Sequence, residues 1–374
     1  MIKDKKILFL LHLPPPVHGS SIVGKAIKES HIINRSFKTR YVNLLVSRSV
    51  DETGKTKFTK LLRFISSWIK LLIELINKRP NLCYFALTST GNAFYKDVSL
   101  VFLLRLFKIK IVFHLHNKGI KRNSSKKINH LLYRYVFRKS YVILLSKYLY
   151  YDIDEFVSEE QLFICPNGVE DISLQTSRKF KQASPPINII FLSNLIKSKG
   201  VFVLIEACEI LYKKDYNIKC DFIGGEGDVS SNEFQRVVED NGVVGIVKYL
   251  GKKYDKEKDE AYKNADIFVL PTQNDCFPLV LLEAMQYGLP VVSTYEGGIP
   301  DIVENNVTGF LVPQKDAQAL AEKLELLIKD SELRIKMGAA GRVKYQNEFT
   351  LQAFETKLQE ILETILLKET RKHL

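Results

Sequence analysis

At 374 residues the chain is long for one domain, and two are expected. Its 46% hydrophobic and 26% charged residues exclude a disordered chain, and its five cysteines (83, 165, 208, 220, 276), with neither CxxC spacing nor an even disulfide framework, read as buried thiols of a reducing compartment. The net charge of +13 comes from the first half: residues 1–180 hold 31 Lys and Arg against 13 Asp and Glu (+18), leaving 24 against 29 (−5) for the rest. That polarity suggests one domain facing an anionic surface and another facing the cytosol.

Lys6–Leu13 is expected to be a buried strand. As a signal peptide its apolar core is too short, and it runs into Pro14-Pro15-Pro16 without a small-residue cleavage site. No run reaches membrane-spanning length. Val17-His18-Gly19-Ser20-Ser21 then forms a glycine-bearing loop before a helix from about Ser21, the first unit of an open α/β sheet with ligands at its strand C-termini. Residues 55–79 place apolar side chains at 58, 61, 62, 65, 68, 69, 72 and 76, with Lys60, Arg63, Lys70 and Lys78 on the other face. Such a helix, with Trp68, either lies in a membrane interface or packs on the sheet with a solvated basic back. Leu82–Leu87 reads as a strand, Thr88–Asn92 as a ligand-side loop and Phe94–Phe107 as a helix.

The strand Ile111–Leu115 brings His114 and His116 to the sheet's C-terminal edge, sharing one face. Each is either a site residue or a satisfied core histidine. Lys121-Arg122 and Lys126-Lys127 make a basic cluster, for an anionic lipid surface or only for solvent. Tyr141–Leu145 is a strand followed by Ser146 as an N-cap, and Arg178–Pro186 is the linker, extended at Ser184-Pro185-Pro186. Beyond it, Ile187–Leu192 and Cys220–Ile223 are strands, the latter followed by a Gly224-Gly225-Glu226-Gly227 turn.

Residues 264–300 are the most organised stretch. A strand (Ile267–Leu270), a polar loop, a helix with Phe277, Pro278 and Leu279 in its first turn, a turn at Gly288 and a strand (Val291–Ser293) follow one another. Asp275 precedes the helix and Glu283 lies a turn or so inside it. A helix start offers free amides to an anion, and flanking carboxylates accept hydrogen bonds from hydroxyls, a combination suited to a sugar phosphate. Asp316–Lys329 and a long segment from Thr350 are expected helices.

The run Pro271-Thr272, Asp275-Cys276-Phe277-Pro278-Leu279, Glu283-Ala284-Met285, Gly288 and Pro290-Val291 resembles the acid-x7-Glu motif of the retaining group 1 glycosyltransferases. Ile164-Cys165-Pro166-Asn167-Gly168-Val169, Ser193–Gly200, Tyr295–Asp301 and Asn306–Val312 resemble further elements of that family. Asp275 stands where Glu is usual, Pro278 where Gly is, and Asn194 where Arg is. The resemblance implies an α/β GT-B fold: two Rossmann-like domains, 1–180 on the acceptor side and 187–349 on the nucleotide-sugar side, facing across a cleft. The last helix, 350–374, is expected to pack back towards the first domain.

It further implies retaining transfer of a hexosyl or N-acetylhexosaminyl group from a UDP- or GDP-linked sugar to a glycan or lipid-linked acceptor, in capsule or lipopolysaccharide synthesis. The implied catalytic residues are His116, Asp275 and Lys199. Gly19 and Ser20 would approach the donor phosphate and the acceptor. Lys199 and Asn194, with the amides of Phe277, Pro278, Leu279 and Val280, would meet the diphosphate; Glu283 would hold the ribose and Asp275 the donor sugar. No cofactor, metal or nucleic acid is expected. The expected location is cytoplasmic, with peripheral contact on the inner face of the membrane. A sugar-nucleotide epimerase or hydrolase on the same scaffold, and a non-catalytic nucleotide-sugar binder, are the alternatives; the second is motivated by Asp275 and Asn194.

Overall fold

The computed structural model of the chain describes residues 4–15, 18–44, 57–171 and 186–368, with 57–63 as backbone alone. The expected linker over 178–185, Pro16-Val17 of the first loop, the side chains of Lys60 and Arg63, and residues 369–374 lie outside the described residues. The chain divides into two compact units, Met1–Asn167 with Leu351–Leu374, and Gly168–Thr350.

The first unit is built on a parallel six-stranded sheet ordered β2-β1-β3-β4-β5-β6. Its strands are β1 (Lys6–Leu11), β2 (Lys38–Asn43), β3 (Leu82–Leu87), β4 (Lys110–Leu115), β5 (Tyr141–Leu144) and β6 (Leu162–Ile164). The central strands are apolar on both faces, as a sheet covered on both sides requires; every residue of β3 is buried. Helices α1 (Gly19–Glu29), α2 (His31–Ser36), α3 (Lys57–Lys78), α4 (Gly91–Leu106), α5 (Ile120–Asn123) and α6 (Lys127–Phe137) connect them. Helix α1 begins at Gly19 because His18 and Ser21 close a capping box: the Ser21 N–H donates to His18 Nδ1, and the His18 N–H to Ser21 Oγ.

Three elements depart from the expected ones. The edge strand β2 and helix α2 are invisible in the periodicity, since β2 buries only Val42. In α3 the stripe does not pack as a whole on the sheet: among the described side chains Leu71 and Leu75 are buried, while Ile65, Ile69 and Ile76 of the stripe are exposed. The apolar face of this helix is wide, and its period alone does not say which edge of that face is buried. The last helix, α14 (Leu351–Leu367), lies in the first unit's core. Its Phe354, Leu358 and Leu362 pack with Phe9, Ile33 and Tyr84.

The second unit repeats the plan with a parallel sheet ordered β12-β11-β10-β7-β8-β9. Its strands are β7 (Ile187–Leu192), β8 (Ile218–Ile223), β9 (Val247–Tyr249), β10 (Ile267–Leu270), β11 (Val291–Thr294) and β12 (Gly309–Val312). Helices α7 (Val201–Lys213), α8 (Ser231–Asp240), α9 (Asp255–Asn264), α10 (Leu279–Gln286), α11 (Ile299–Ile302), α12 (Ala317–Lys329) and α13 (Ser331–Glu348) surround it. Strand order runs outward in opposite directions from β7 and β10, so their C-terminal ends form the topological switch point, where ligands bind in such sheets. Helix α10 starts at Leu279 with Pro278 as its cap residue (φ −70°, ψ 117°). Phe277 is therefore not in the first turn. It is 5% exposed and packs edge-on to Phe349, ring centroids 5.9 Å apart, as an apolar anchor ahead of the helix.

Candidate active site

At the second unit's switch point the loops after β7 and β10 are tied together. The Gln273 N–H donates to the Ser198 carbonyl at 2.7 Å, and Thr272 Oγ1 donates to the same oxygen at 3.2 Å. Gly200, at φ +82°, makes this approach possible, because a Cβ there would stand 2.1 Å from the Pro271 carbonyl oxygen. The loops thereby set Lys199 against Asp275, with Nζ 2.7 Å from Oδ2, and the side chains are 21% and 16% exposed. The β10 loop is held from its other side by the buried Glu296. This carboxylate accepts the Asp275 N–H at 3.1 Å and a Gln314 amide N–H at 2.7 Å.

One turn into α10, Glu283 is held rather than free. Lys258 Nζ lies 2.7 Å from its carboxylate, and the Tyr262 hydroxyl donates to Oε2 at 2.8 Å. Burial, then the neighbouring carboxylate, pushes the Tyr262 phenol well above its ordinary value, so it stays a donor. Leu279 and Val280 begin α10, and their N–H groups have no intrahelical acceptor. The pair Lys258 and Tyr262 left no signal in the sequence, because α9 buries only Tyr262 and shows no apolar face.

Asn194 does not act simply as a neutral donor in place of a cation. Its Oδ1 accepts the Gly225 N–H at 2.9 Å and so fixes the turn after β8. The next loop is clamped to that turn, the Gly224 N–H donating to the Gly251 carbonyl at 2.9 Å. Lys252 then folds across Gly225: a Cβ at Gly225 would stand 2.4 Å from Lys252 Cε, 3.4 Å from its Nζ and 3.2 Å from Asn194 Oδ1. Lys197, Lys199 and Lys258 are paired with Glu233, Asp275 and Glu283, whereas Lys252 has no carboxylate partner among the described residues.

In the first unit a histidine group gathers at the C-terminal ends of β1, β3 and β4. Ser20 Oγ lies 3.0 Å from His18 Nδ1 and 3.3 Å from His12 Nδ1, and Thr88 Oγ1 lies 3.3 Å from His12 Nε2. His114 is wholly buried against the Tyr84 hydroxyl, with Nδ1 2.5 Å from it, and reads as a core residue. Its ring lies at a 38° tilt, 4.2 Å from that of His116, which is half-buried and has an enclosed Nδ1 without a hydrogen-bond partner among the described residues. Burial, with His18 as a second cause, lowers His116 to about 4. Burial, with Lys96 and the other histidines, lowers His12 to about 3. Both rings are neutral at pH 7. Gly19 is the exposed first residue of α1. His12 is the member missed from sequence, where it read as the end of a strand. Asp152 was missed too: it accepts the N–H groups of Gly119, Ile120 and Lys121 at 2.8–3.1 Å and fixes the loop after His116.

Residues 173–344 match the family model for glycosyl transferases group 1. The chain is 36% identical over 186 residues to the amylovoran biosynthesis glycosyltransferase AmsK of Erwinia amylovora, covering 48% of this chain and 45% of that protein. It is 32% identical over 179 residues to the capsular polysaccharide biosynthesis glycosyltransferase CapM of Staphylococcus aureus (47% and 46%). Over 270 residues it is 28% identical to the putative colanic acid biosynthesis glycosyltransferase WcaL of Escherichia coli K12 (69% and 64%). The chain thus spans about half the length of the first two relatives and under two thirds of the third. Among solved structures, a sucrose-phosphate synthase from Thermosynechococcus elongatus superimposes with a TM-score of 0.75 at 17% identity, over 97% of this chain and 100% of that one. Anabaena HepE in complex with UDP and glucose does so with a TM-score of 0.72 at 18% identity, over 96% and 99%. At such identities the likeness is one of fold, and the fold is GT-B. Over residues 173–344, within the second unit, the chain is thus similar to the glycosyl transferases group 1.

Proposed function

We propose that the chain is a retaining glycosyltransferase, moving a hexosyl or N-acetylhexosaminyl group from a UDP- or GDP-linked sugar to a glycan or lipid-linked acceptor of envelope polysaccharide. The observation that carries the reading is the meeting of Lys199 and Asp275 at the β7/β10 switch point, beside the open start of α10. Relatives named for capsule, amylovoran and colanic acid synthesis support it, and so does a fold neighbour described with UDP.

Breaking the sugar–phosphate bond puts growing charge on the nucleoside diphosphate, and fixed donors stabilise that charge. Lys199, the N–H groups of Leu279 and Val280, and Lys252 supply such donors. The Lys199 contact uses Asp275 Oδ2, which leaves Oδ1 to accept a donor-sugar hydroxyl. Glu283, oriented by Lys258 and Tyr262, has lone pairs for ribose hydroxyls. Neutral His116 offers a hydrogen bond rather than a charge to the donor sugar, and the departing phosphate oxygen takes the acceptor proton on the same face. The excess of basic residues over 1–180 supports an anionic inner-leaflet membrane as the setting for a lipid-linked acceptor.

The test is turnover of a panel of nucleotide sugars, with and without lipid-linked acceptor, after a thermal-shift screen in which a nucleotide at 100 times its Kd adds about 2.7 kcal/mol. Acceptor-dependent release of UDP or GDP with an α-linked product from an α-linked donor is expected. Acceptor-independent turnover would make the chain a hydrolase or epimerase. Binding without turnover would make it a nucleotide-sugar binder.

A further inference from the structure

The strand order β2-β1-β3-β4-β5 and the right-handed sense of parallel crossovers place α3, α4 and α6 on one side of the first sheet. They are neighbours there, α3 beside α4 and α4 beside α6, while α1, α2 and α14 cover the opposite side. The inner surface of this three-helix layer is buried in the usual way, with Leu71 and Leu75 of α3, Leu100 and Leu104 of α4, and Val136 and Phe137 of α6. Its outer surface is unusual. Ile65, Ile69, Ile73 and Ile76 recur at helical spacing along α3 and are 42–63% exposed. On α4, Phe102 and Leu106 are 59% and 66% exposed, and on α6, Ile128 and Leu131 are 70% and 64% exposed.

Single exposed apolar residues are ordinary, but a run of them across three adjacent helices marks an interaction surface. Its occupant is argued by charge. Helices α3, α4 and α6 carry nine Lys and Arg against two acids, Glu74 and the buried Asp97. Exposed Arg122, Lys126 and Lys127 adjoin the start of α6, as does Lys121, which also approaches Asp154 at 3.8 Å. A second copy of the chain would set this basic face against itself in a two-fold interface. An apolar stripe rimmed by cations is instead complementary to the interface of an anionic bilayer, with apolar side chains in the acyl boundary and cations at the headgroups. Trp68, the only tryptophan of the chain, is half-buried on α3 next to Ile69 and so can report on the surroundings of this helix.

We infer that the outer face of α3, α4 and α6 inserts into the interface of an anionic membrane. This goes beyond a purely electrostatic tether, and it stands whether or not the transferase reading does. A tether by charge alone is abolished by salt, whereas inserted isoleucines keep part of the binding.

The experiment is co-sedimentation of the full chain with phosphatidylglycerol–phosphatidylcholine vesicles and with phosphatidylcholine vesicles, at low and high salt, alongside Trp68 emission. The expected result is binding to the anionic vesicles that is weakened but not abolished by salt, with a blue shift of Trp68. The variant Ile69→Asn/Ile73→Asn/Phe102→Asn changes only exposed positions and should keep its Tm and nucleotide binding while losing vesicle affinity on the order of tenfold or more. Three results would each overturn the inference: no binding to either vesicle, equal binding of parent and apolar variant, or a solution dimer that the same three substitutions dissociate without any vesicle binding by the parent.

Discussion

At the scale of single residues, the proposed reading gives Lys199 and Glu283 different steps. Lys199 is paired with Asp275, and under that reading it matters most as charge develops on the leaving diphosphate. Lys199→Ala should therefore lower kcat by roughly 10²–10³ with a smaller change in KM; an effect on KM alone would remove that role. Glu283→Ala should instead weaken binding of UDP or GDP itself, measurable by calorimetry, since its carboxylate is already oriented by Lys258 and Tyr262. Lys252 lies over Gly225 without a carboxylate partner among the described residues. Losing one charge-assisted contact of about 1.5–2 kcal/mol should raise the nucleotide Kd of Lys252→Ala by about tenfold or more. Asn194→Asp keeps the acceptor for the Gly225 N–H but sets a negative charge next to Lys252, so it should fold normally and bind nucleotide less well. The histidine group carries a pH signature. His12 and His116 are depressed to about 3 and about 4 from an ordinary 6.5. Below pH 6.5 the unfolded chain takes up protons that the folded chain refuses. Their contribution to stability is thus full above that value and is lost as pH falls towards 4. Tm should fall across this window, and more shallowly in His116→Asn.

At the scale of elements, the turn between β7 and α7 and the helix α14 are where small changes should do most. Gly200→Ala puts a Cβ within 2.1 Å of the Pro271 oxygen at a positive φ. The chain must then part the two loops that join Lys199 to Asp275, and a Tm loss should accompany a loss of nucleotide binding. Leu362 on α14 is fully buried in the first unit's core. Leu362→Ala should cost about 2–5 kcal/mol in denaturant unfolding, although the residue is remote in sequence from every strand it covers. Sequence reading located β1, β3, β7 and β10 because continuous apolar runs bounded by turns are local signals. It missed α9 and α13, whose exposed faces outweigh their buried ones, and it started α10 too early because Phe277 is apolar and adjoins the helix. Pro278 stands at the cap, and Phe277 packs on Phe349.

At the scale of the whole molecule, two separate sheets each carry their own core, and the residues proposed to bind the nucleotide belong to the second. Calorimetry should therefore resolve two unfolding transitions, of which UDP or GDP raises the one belonging to the second unit; a single transition raised as one would contradict this. The sequence by itself determined that the chain has two α/β halves, that positive charge sits in the first, and that Asp275 and Glu283 bracket a helix start, because composition, alternation and turn chemistry are local properties. Only the tertiary structure decided that Lys199 meets Asp275 across 76 positions and that Lys258 holds Glu283 across 25. It also turned the isoleucines of α3 outward. Such pairings and facings depend on which strands become neighbours in a sheet, and that is settled by the crossover path of the whole chain rather than by any window of it.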